Sequence, residues 1–517
     1  VRVPAIMKWV LLGWFLVLAR CSDELGPSAA LDSGPRSDAA PTYYPLEKLK
    51  DPETCNDCHP KHYESWAGSM HAYASDDPIF LAMNDRGQKE AAIGNFCVKC
   101  HAPLAIGSDD ATVDRAKLAA LPKSQRGITC FFCHAIDAVN GTHNNPLHLA
   151  EDGVMRGQLA DPVPNKAHAS AYSTLQDAKN LRSASACGSC HDIVNGHGVH
   201  LERTFKEWQE SVYSTENGNT CAQCHMYPEQ NQLVAEGSDA PGVFLRTRHD
   251  HGFPAVDVAL TPWPQIEQQH AAIQTILDDA TLQNALCVSG AQNGIPTISA
   301  IIDTVGVGHK WPSGAAQDRR AWFEITAYQG GNVIYQSGHV PPGTEPTQLA
   351  DPDLWLLRDC SLDAGDKEVH MFWEVESSDP NLLPTLATFD QTKGAFFQTH
   401  QIQKFPRNSA PYLSAAPDRV TMSVWLQAFP LDVFDDLFQR PEEQGLTAEQ
   451  VREMRGKLAP FRVGRELVWT TEAMNTISYQ DDRTRLPVYC VSTVSNQALF
   501  GFGATKTPAP RHRTCSP

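Results

Sequence analysis

Five times between residues 55 and 225 the chain repeats one arrangement, two cysteines three apart followed at once by a histidine. The copies are Cys55–Cys58–His59, Cys97–Cys100–His101, Cys130–Cys133–His134, Cys187–Cys190–His191 and Cys221–Cys224–His225. On a helical turn, residues i, i+3 and i+4 share a face. Two thiols there can meet the two vinyl groups of one porphyrin, and the histidine can place a nitrogen on its iron. Cys-x-x-Cys-His is the attachment signature of c-type haem. Chance would supply roughly 0.02 copies in a chain of this composition. Zinc also uses paired Cys-x-x-Cys, but it does not demand a histidine after every second cysteine. The expected cofactors are five covalently bound haem c groups, with the ten motif cysteines as attachment points and the five histidines as proximal iron ligands.

The chain of 517 residues is long enough for two or more domains. Its formal charge of −18 argues against nucleic acid or an anionic lipid surface as a partner. Five of the 15 cysteines lie outside the motifs: Cys21, Cys287, Cys360, Cys490 and Cys515. The last four allow two disulfides whose connectivity the sequence leaves open. Spare cysteines and covalent haem both suit an extracytoplasmic protein. Arg2 and Lys8 precede an apolar run, Trp9–Ala19, too short to span a bilayer comfortably, so residues 1–21 read as an export signal. Translation from Met7 would give a compact signal. Leu-Ala-Arg-Cys at 18–21 resembles a lipoprotein box with Cys21 acylated, although Arg20 stands where a small residue is usual. The expected location is the periplasm or the outer membrane surface of a Gram-negative bacterium, with a membrane attachment through Cys21. Residues 22–45, rich in Ser, Ala, Asp, Pro and Gly, form a flexible linker.

Residues 46–262 hold all five motifs and offer few strong strands. Short helical stretches separate the attachments, at Pro60–Met70, Arg115–Leu121 and Leu201–Tyr213. This domain is expected to be mainly α and loop, organised by haem. Residues 263–290 read as a connecting helix, with Ile266, Ile273, Ile276 and Leu277 at helical spacing. From 291 to 517 the texture is β-rich. Arg320–Tyr328 sets Ala321, Phe323, Ile325 and Ala327 against Trp322, Glu324 and Thr326, and Arg419–Phe429 alternates likewise. Asn332–Gln336, Leu354–Arg358 and Val369–Val375 add strand candidates, and Leu431–Gln439 and Thr447–Met454 look helical. That spacing predicts a β-sandwich-like domain.

Four passages resemble the multihaem c-type cytochromes, in the lineage of the tetrahaem cytochrome of nitrifiers, octahaem hydroxylamine oxidoreductase and pentahaem nitrite reductase. They are CNDCHPKHYESWAGSMHA (55–72), FCVKCHAP (96–103), GITCFFCHAI (127–136) and TFKEWQESVYSTENGNTCAQCHM (204–226). The segment VGHKWPSGAAQDRRAWFEI (307–325) is similar, over a shorter stretch, to the β-domain behind the haems in some of these proteins. The Cys-x-x-Cys-Lys motif that binds the catalytic haem of the nitrite reductases does not occur, which weakens the case for nitrite reduction. The resemblance implies distal ligands at His71 and His168. His148 is preferred over His143 for a further position, and His251 over His249 because the resemblance runs through HGFPAVD. His309, in a glycine-rich loop with Trp311 beside it as an apolar plane for a porphyrin, is the fifth choice. His62 reads as solvated.

Two functions of different class follow. Bis-histidine iron is six-coordinate, closed to substrate and suited to electron carriage at low potential between redox partner proteins of unknown identity, in an extracytoplasmic respiratory chain. The alternative is an oxidoreductase with one open-site haem acting on a small nitrogen or sulfur compound, with Arg246, Arg248, Tyr172 and Lys166 as polar pocket candidates. Carriage stands ahead of catalysis. A β-domain that docks the protein into a larger assembly is compatible with carriage.

Overall fold

The computed structural model describes residues 43–237, 242–279, 283–290, 296–409, 412–472, 478–480 and 487–492. The export signal with Cys21, nearly all of the linker, and Cys515 lie outside the described residues.

Every cofactor motif sits on a short helix or its end. Pro52–Asn56 carries Cys55, Val98–His101 carries the second motif, and Cys130–Ala135 the third. Ser183–Gly188 leads into the fourth and Cys221–His225 carries the fifth. Three of these turns owe their start to a capping side chain. Asp51 accepts from the Glu53 amide, Thr129 from Phe132, and Thr220 forms a reciprocal capping box with Gln223. A helix of five or six residues is unstable alone, so the cap and the tertiary contacts must hold it.

Between the motifs the chain is mixed, which corrects the expectation of mainly α and loop. Four two-stranded ladders appear there: 136–139 with 147–149, 154–157 with 169–172, 193–194 with 200–202, and 228–233 with 245–249. Each strand is too short for alternation to show in the sequence. Asn144 and Asn145, both at positive φ, help turn the first ladder back on itself.

The helix expected at 263–290 runs from Ile266 to Asp279, with Ile273 and Leu277 buried. The stretch Gln283–Ser289 is instead the central strand of a five-stranded sheet, ordered 400–405, 297–303, 283–289, 487–492, 478–480. A seven-stranded sheet is built on Arg320–Gln329 and Arg419–Gln427, paired antiparallel with Phe323 opposite Val424. Asn332–Ser337 and Trp355–Leu362 flank it as strands. Val369–Val375 is a turn, not a strand, between strands 355–362 and 377–381. Leu431–Leu437 and Ala448–Lys457 are helices.

The alternation in Arg320–Gln329 has its expected consequence. Ala321, Phe323, Ile325 and Ala327 join Leu286, Val288, Ile298 and Ile302 of the five-stranded sheet in one buried cluster. Phe323 stacks on Trp355 with ring centres 4.0 Å apart. A buried phenylalanine of this kind contributes about 3–5 kcal/mol relative to alanine. The opposite face is covered too, for Trp322 packs with Leu354 and Leu356. Ala82, Met83, Val256 and Val258 of the motif-bearing half belong to the same cluster as the sheets, so the two halves share a core. Cys287 and Cys490, directly opposite on neighbouring strands, form a disulfide, and Cys360 is also disulfide-bonded. Among the described residues, no helix is long and apolar enough to cross a membrane.

Candidate haem sites

In the first, second and fourth motifs the histidine amide donates to the carbonyl of the first cysteine, at 2.7 Å in His59–Cys55 and 3.1 Å in His101–Cys97 and His191–Cys187. This helical bond carries the imidazole around to the face of the thiols. The five rings then share one feature that no motif encodes. Nδ1 of His59 meets the Val234 carbonyl at 2.6 Å, His101 that of Ala74 at 3.1 Å, His134 that of Arg156 at 2.5 Å and His225 that of Pro254 at 3.0 Å. His191 meets a carboxylate oxygen of Glu202 at 3.1 Å. Carbonyl and carboxylate oxygens only accept, so the proton sits on Nδ1 and the lone pair of Nε2 is left for a metal. This is how metal-ligating histidines are oriented.

The distal candidates repeat the pattern. His168 directs Nδ1 to Ala169 at 3.0 Å, His251 to His249 at 2.9 Å and His309 to Lys310 at 2.8 Å, each a backbone carbonyl. His71 is held from its backbone, where its carbonyl accepts from Ile128 at 2.9 Å. Gly127, at φ +61°, makes that approach possible, since a Cβ there would stand 2.5 Å from the His71 oxygen.

Three pairs of rings face one another across a gap. Ring centres lie 6.4 Å apart for His59 and His168, 6.4 Å for His134 and His251, and 6.2 Å for His191 and His71. Two metal–nitrogen bonds of about 2 Å each, with half a ring at either end, put the centres of two trans imidazoles roughly 6 Å apart. The residues present therefore fit an iron between each pair. His309 is half-buried and close enough to His225 to act on it electrostatically. Burial keeps these imidazoles neutral, as ligands must be. It pushes His71 and His251 down to about 3, with nearby histidines adding to the effect. His191 departs from this, raised to about 9 because the Glu202 hydrogen bond and charge outweigh burial.

His59 and His168 line a cleft of about 120 Å3 with Leu159, Val163, Val234 and Phe244, a mostly apolar lining. Thiols of different motifs also lie near one another, Cys55 near Cys130, Cys100 near Cys190, and Cys187 near Cys221.

Other placements differ from expectation. His148 is exposed, with Nδ1 2.6 Å from Asp137, and faces no proximal imidazole. It lies on the solvent-exposed face of a two-stranded ladder, which does not place it as a ligand. His143 pairs with His200 instead, centres 6.0 Å apart. Among the described residues, the ring against His101 is Phe80, parallel at 4.3 Å, and no imidazole stands opposite it as in the three pairs. His62 is not solvated. It is wedged 5.8 Å from His59 and 5.1 Å from His251, and burial first, then His251, push it to about 2. Trp311 joins the sheet core rather than a cofactor site. Arg246 pairs with Asp161, Arg248 with Glu229, and the Tyr172 hydroxyl donates to Asp177. Those side chains are engaged separately and do not converge.

Sequence reasoning missed Glu202, Phe80 and the orienting carbonyls. The carbonyls belong to the backbone and leave no residue signal. Glu202 sits on the strand that pairs Ile193 with it, a register too short to read beforehand. Its carboxylate makes the His191 imidazole a stronger donor than its four counterparts. Glu202→Gln should raise the potential of the haem held by His191 by roughly tens of millivolts, with any others unmoved in a spectroelectrochemical titration.

Residues 54–135, spanning the first three motifs, match the family model for cytochrome c554 and c-prime. No curated protein sequence matches the chain. A penta-heme cytochrome c552 from Thermochromatium tepidum has a similar fold, with a TM-score of 0.54, 18% identity, and coverage of 83% of this chain and 100% of that one. The match over the first three motifs supports covalently bound haem of the c type and a role in electron transfer. The chain is thus similar to the multihaem c-type cytochromes, in sequence over its first three motifs and in fold over most of its length.

Proposed function

We propose that the protein carries electrons through five covalently attached haem groups in an extracytoplasmic respiratory chain, held at a membrane through Cys21. One observation carries the reading: three imidazole pairs stand 6.2–6.4 Å apart, and five of those six rings have Nδ1 tied to an acceptor and Nε2 free. Each such pair would hold a haem iron through two imidazole nitrogens, and His225 with the nearby His309 would hold a fourth, an arrangement suited to electron carriage. Haem supplies one-electron chemistry at each site. The chain fixes its position and its axial ligands. The thiol contacts define an order that is not sequential: the first site joins the third, the fifth joins the fourth, and the second branches from the fourth. Cys133 lies near Cys187, which sets the third site beside the fourth.

The second reading, an oxidoreductase with one open site acting on a small nitrogen or sulfur compound, is favoured by a single observation. His101 has Phe80 against its ring and no imidazole across from it among the described residues. The test is a count and a spin inventory. Mass spectrometry of matured, acid–acetone-extracted protein should show five haem additions, and EPR of the oxidised protein four low-spin centres and one high-spin centre. Fewer than five additions would remove the array. Five low-spin centres would leave the second reading without a site.

A further inference from the structure

Nine of the ten motif cysteines are half-buried, and Cys224 is exposed. Cys224 is therefore the motif cysteine most open to solvent. Tyr213 lies near Cys224, and its hydroxyl donates to the Val305 carbonyl of the β half. Phe389, also from the β half, stands edge-on to Tyr213 with ring centres 5.5 Å apart and is 45% exposed. The Val212 amide donates to the Leu386 carbonyl at 2.9 Å, which pins the two segments together. The turn at 215–218 is pressed against Tyr213. A Cβ on Gly218 would fall 2.0 Å from the Tyr213 carbonyl oxygen, so only glycine permits the contact. The result is a small apolar spot on a polar rim, continuous with an exposed cofactor attachment.

The rim carries exposed Glu216 and Asp390, the latter bridged to Lys393 at 3.7 Å. Glu210 and Lys206, four residues apart on one helical face, offset each other. The local surplus is small, but the chain as a whole carries −18. A second copy, or any acidic protein, approaches such a molecule against repulsion, whereas a cationic protein is steered towards it.

We propose that the surface of Cys224, Tyr213 and Phe389 is the port through which the array exchanges electrons with a cationic redox protein, and that the β half exists in part to build it. The proposal rests on the reading of the protein as an electron carrier. In each exchange the array loses one electron and the partner's oxidised metal centre gains it, with no bond made or broken. Tyr213 and Phe389 shape the contact and exclude water from it.

The test uses the full, haem-loaded protein and a lysine-rich monohaem cytochrome c as probe. Carbodiimide cross-linking followed by mass spectrometry should join probe lysines to Glu216 and Asp390. In stopped flow, the reduced array should pass electrons to the probe with a rate constant that falls about tenfold from low to high salt. Phe389→Ser and the double variant Glu216→Lys/Asp390→Lys should each lower that constant at least about threefold at low salt, with haem count and spectrum unchanged. Cross-links elsewhere, or rates indifferent to all these changes while the wild type still transfers, would overturn the port and leave carriage standing. A loss in Phe244→Ser alone would overturn it in favour of the cleft between His59 and His168. A wild type that passes electrons to no acceptor at all would remove the carrier reading, and the port with it.

Discussion

His309→Ala should convert one low-spin haem to high-spin and loosen the contact between the motif-bearing half and the sheets. The loop around His309 is fixed by the helix Thr204–Gln209 of the motif half. The Lys310 amide and the Ser313 hydroxyl both donate to one oxygen of Glu207, at 3.2 and 2.8 Å, and the Gly314 amide donates to the Thr204 hydroxyl at 3.0 Å. Beside them, Arg203 pairs with the buried Asp359. The imidazole is thus carried on a loop whose position is set by several buried polar contacts, and its Nδ1 is committed to Lys310. Removing the ring deletes the one group that this loop offers towards His225. An iron held by His225 would then lack a second imidazole, which would leave it high-spin. EPR should show one additional high-spin signal. Limited proteolysis should cut faster in the segment joining the halves, though the shared core and the Glu207 contacts keep the protein folded. A spectrum without the new signal would mean that His309 does not reach iron.

What the sequence makes legible depends on whether a residue's role is local. The motif cysteines and histidines needed only the spacing of one helical turn, and those turns form with their caps. The strands 320–329 and 419–427 were readable because ten residues are enough for alternation to show. The stretch 283–289 was not, since Ala285, Leu286, Cys287 and Val288 are all buried and give a continuous apolar run that fits either period. The ladders among the motifs are shorter still. Distal placement is a long-range matter: His71 faces the fourth motif and His168 the first, pairings set by how the chain folds back. His148 shows the limit. No family resemblance supports it over His143, and the strand it stands on turns it outward, towards Asp137.

His71→Met should give the largest shift in potential, upward on the order of 100 mV for one haem. His71 faces His191, the proximal imidazole whose Nδ1 proton is held by Glu202. Two imidazoles, one of them strengthened by a carboxylate, stabilise the ferric state strongly, so this site should be among the lowest in the array. A thioether is a weaker donor to ferric iron and prefers the ferrous form. The fold accepts the change with little strain. Methionine is flexible and near histidine in volume, and the Ser69 hydroxyl still caps the short helix Met70–Tyr73 by accepting from Ala72. The backbone hold on this residue, through its carbonyl and Ile128, does not involve the side chain. The cysteines of the fourth motif lie near those of both the second and the fifth, so in the proposed array its site is the junction. Raising its potential turns that junction into a trap, and electron flow through the array should slow even though every haem is still present. Protein-film voltammetry should show one wave displaced upward and the rest in place. A voltammogram and optical spectrum identical to those of the wild type would mean that His71 is not on iron.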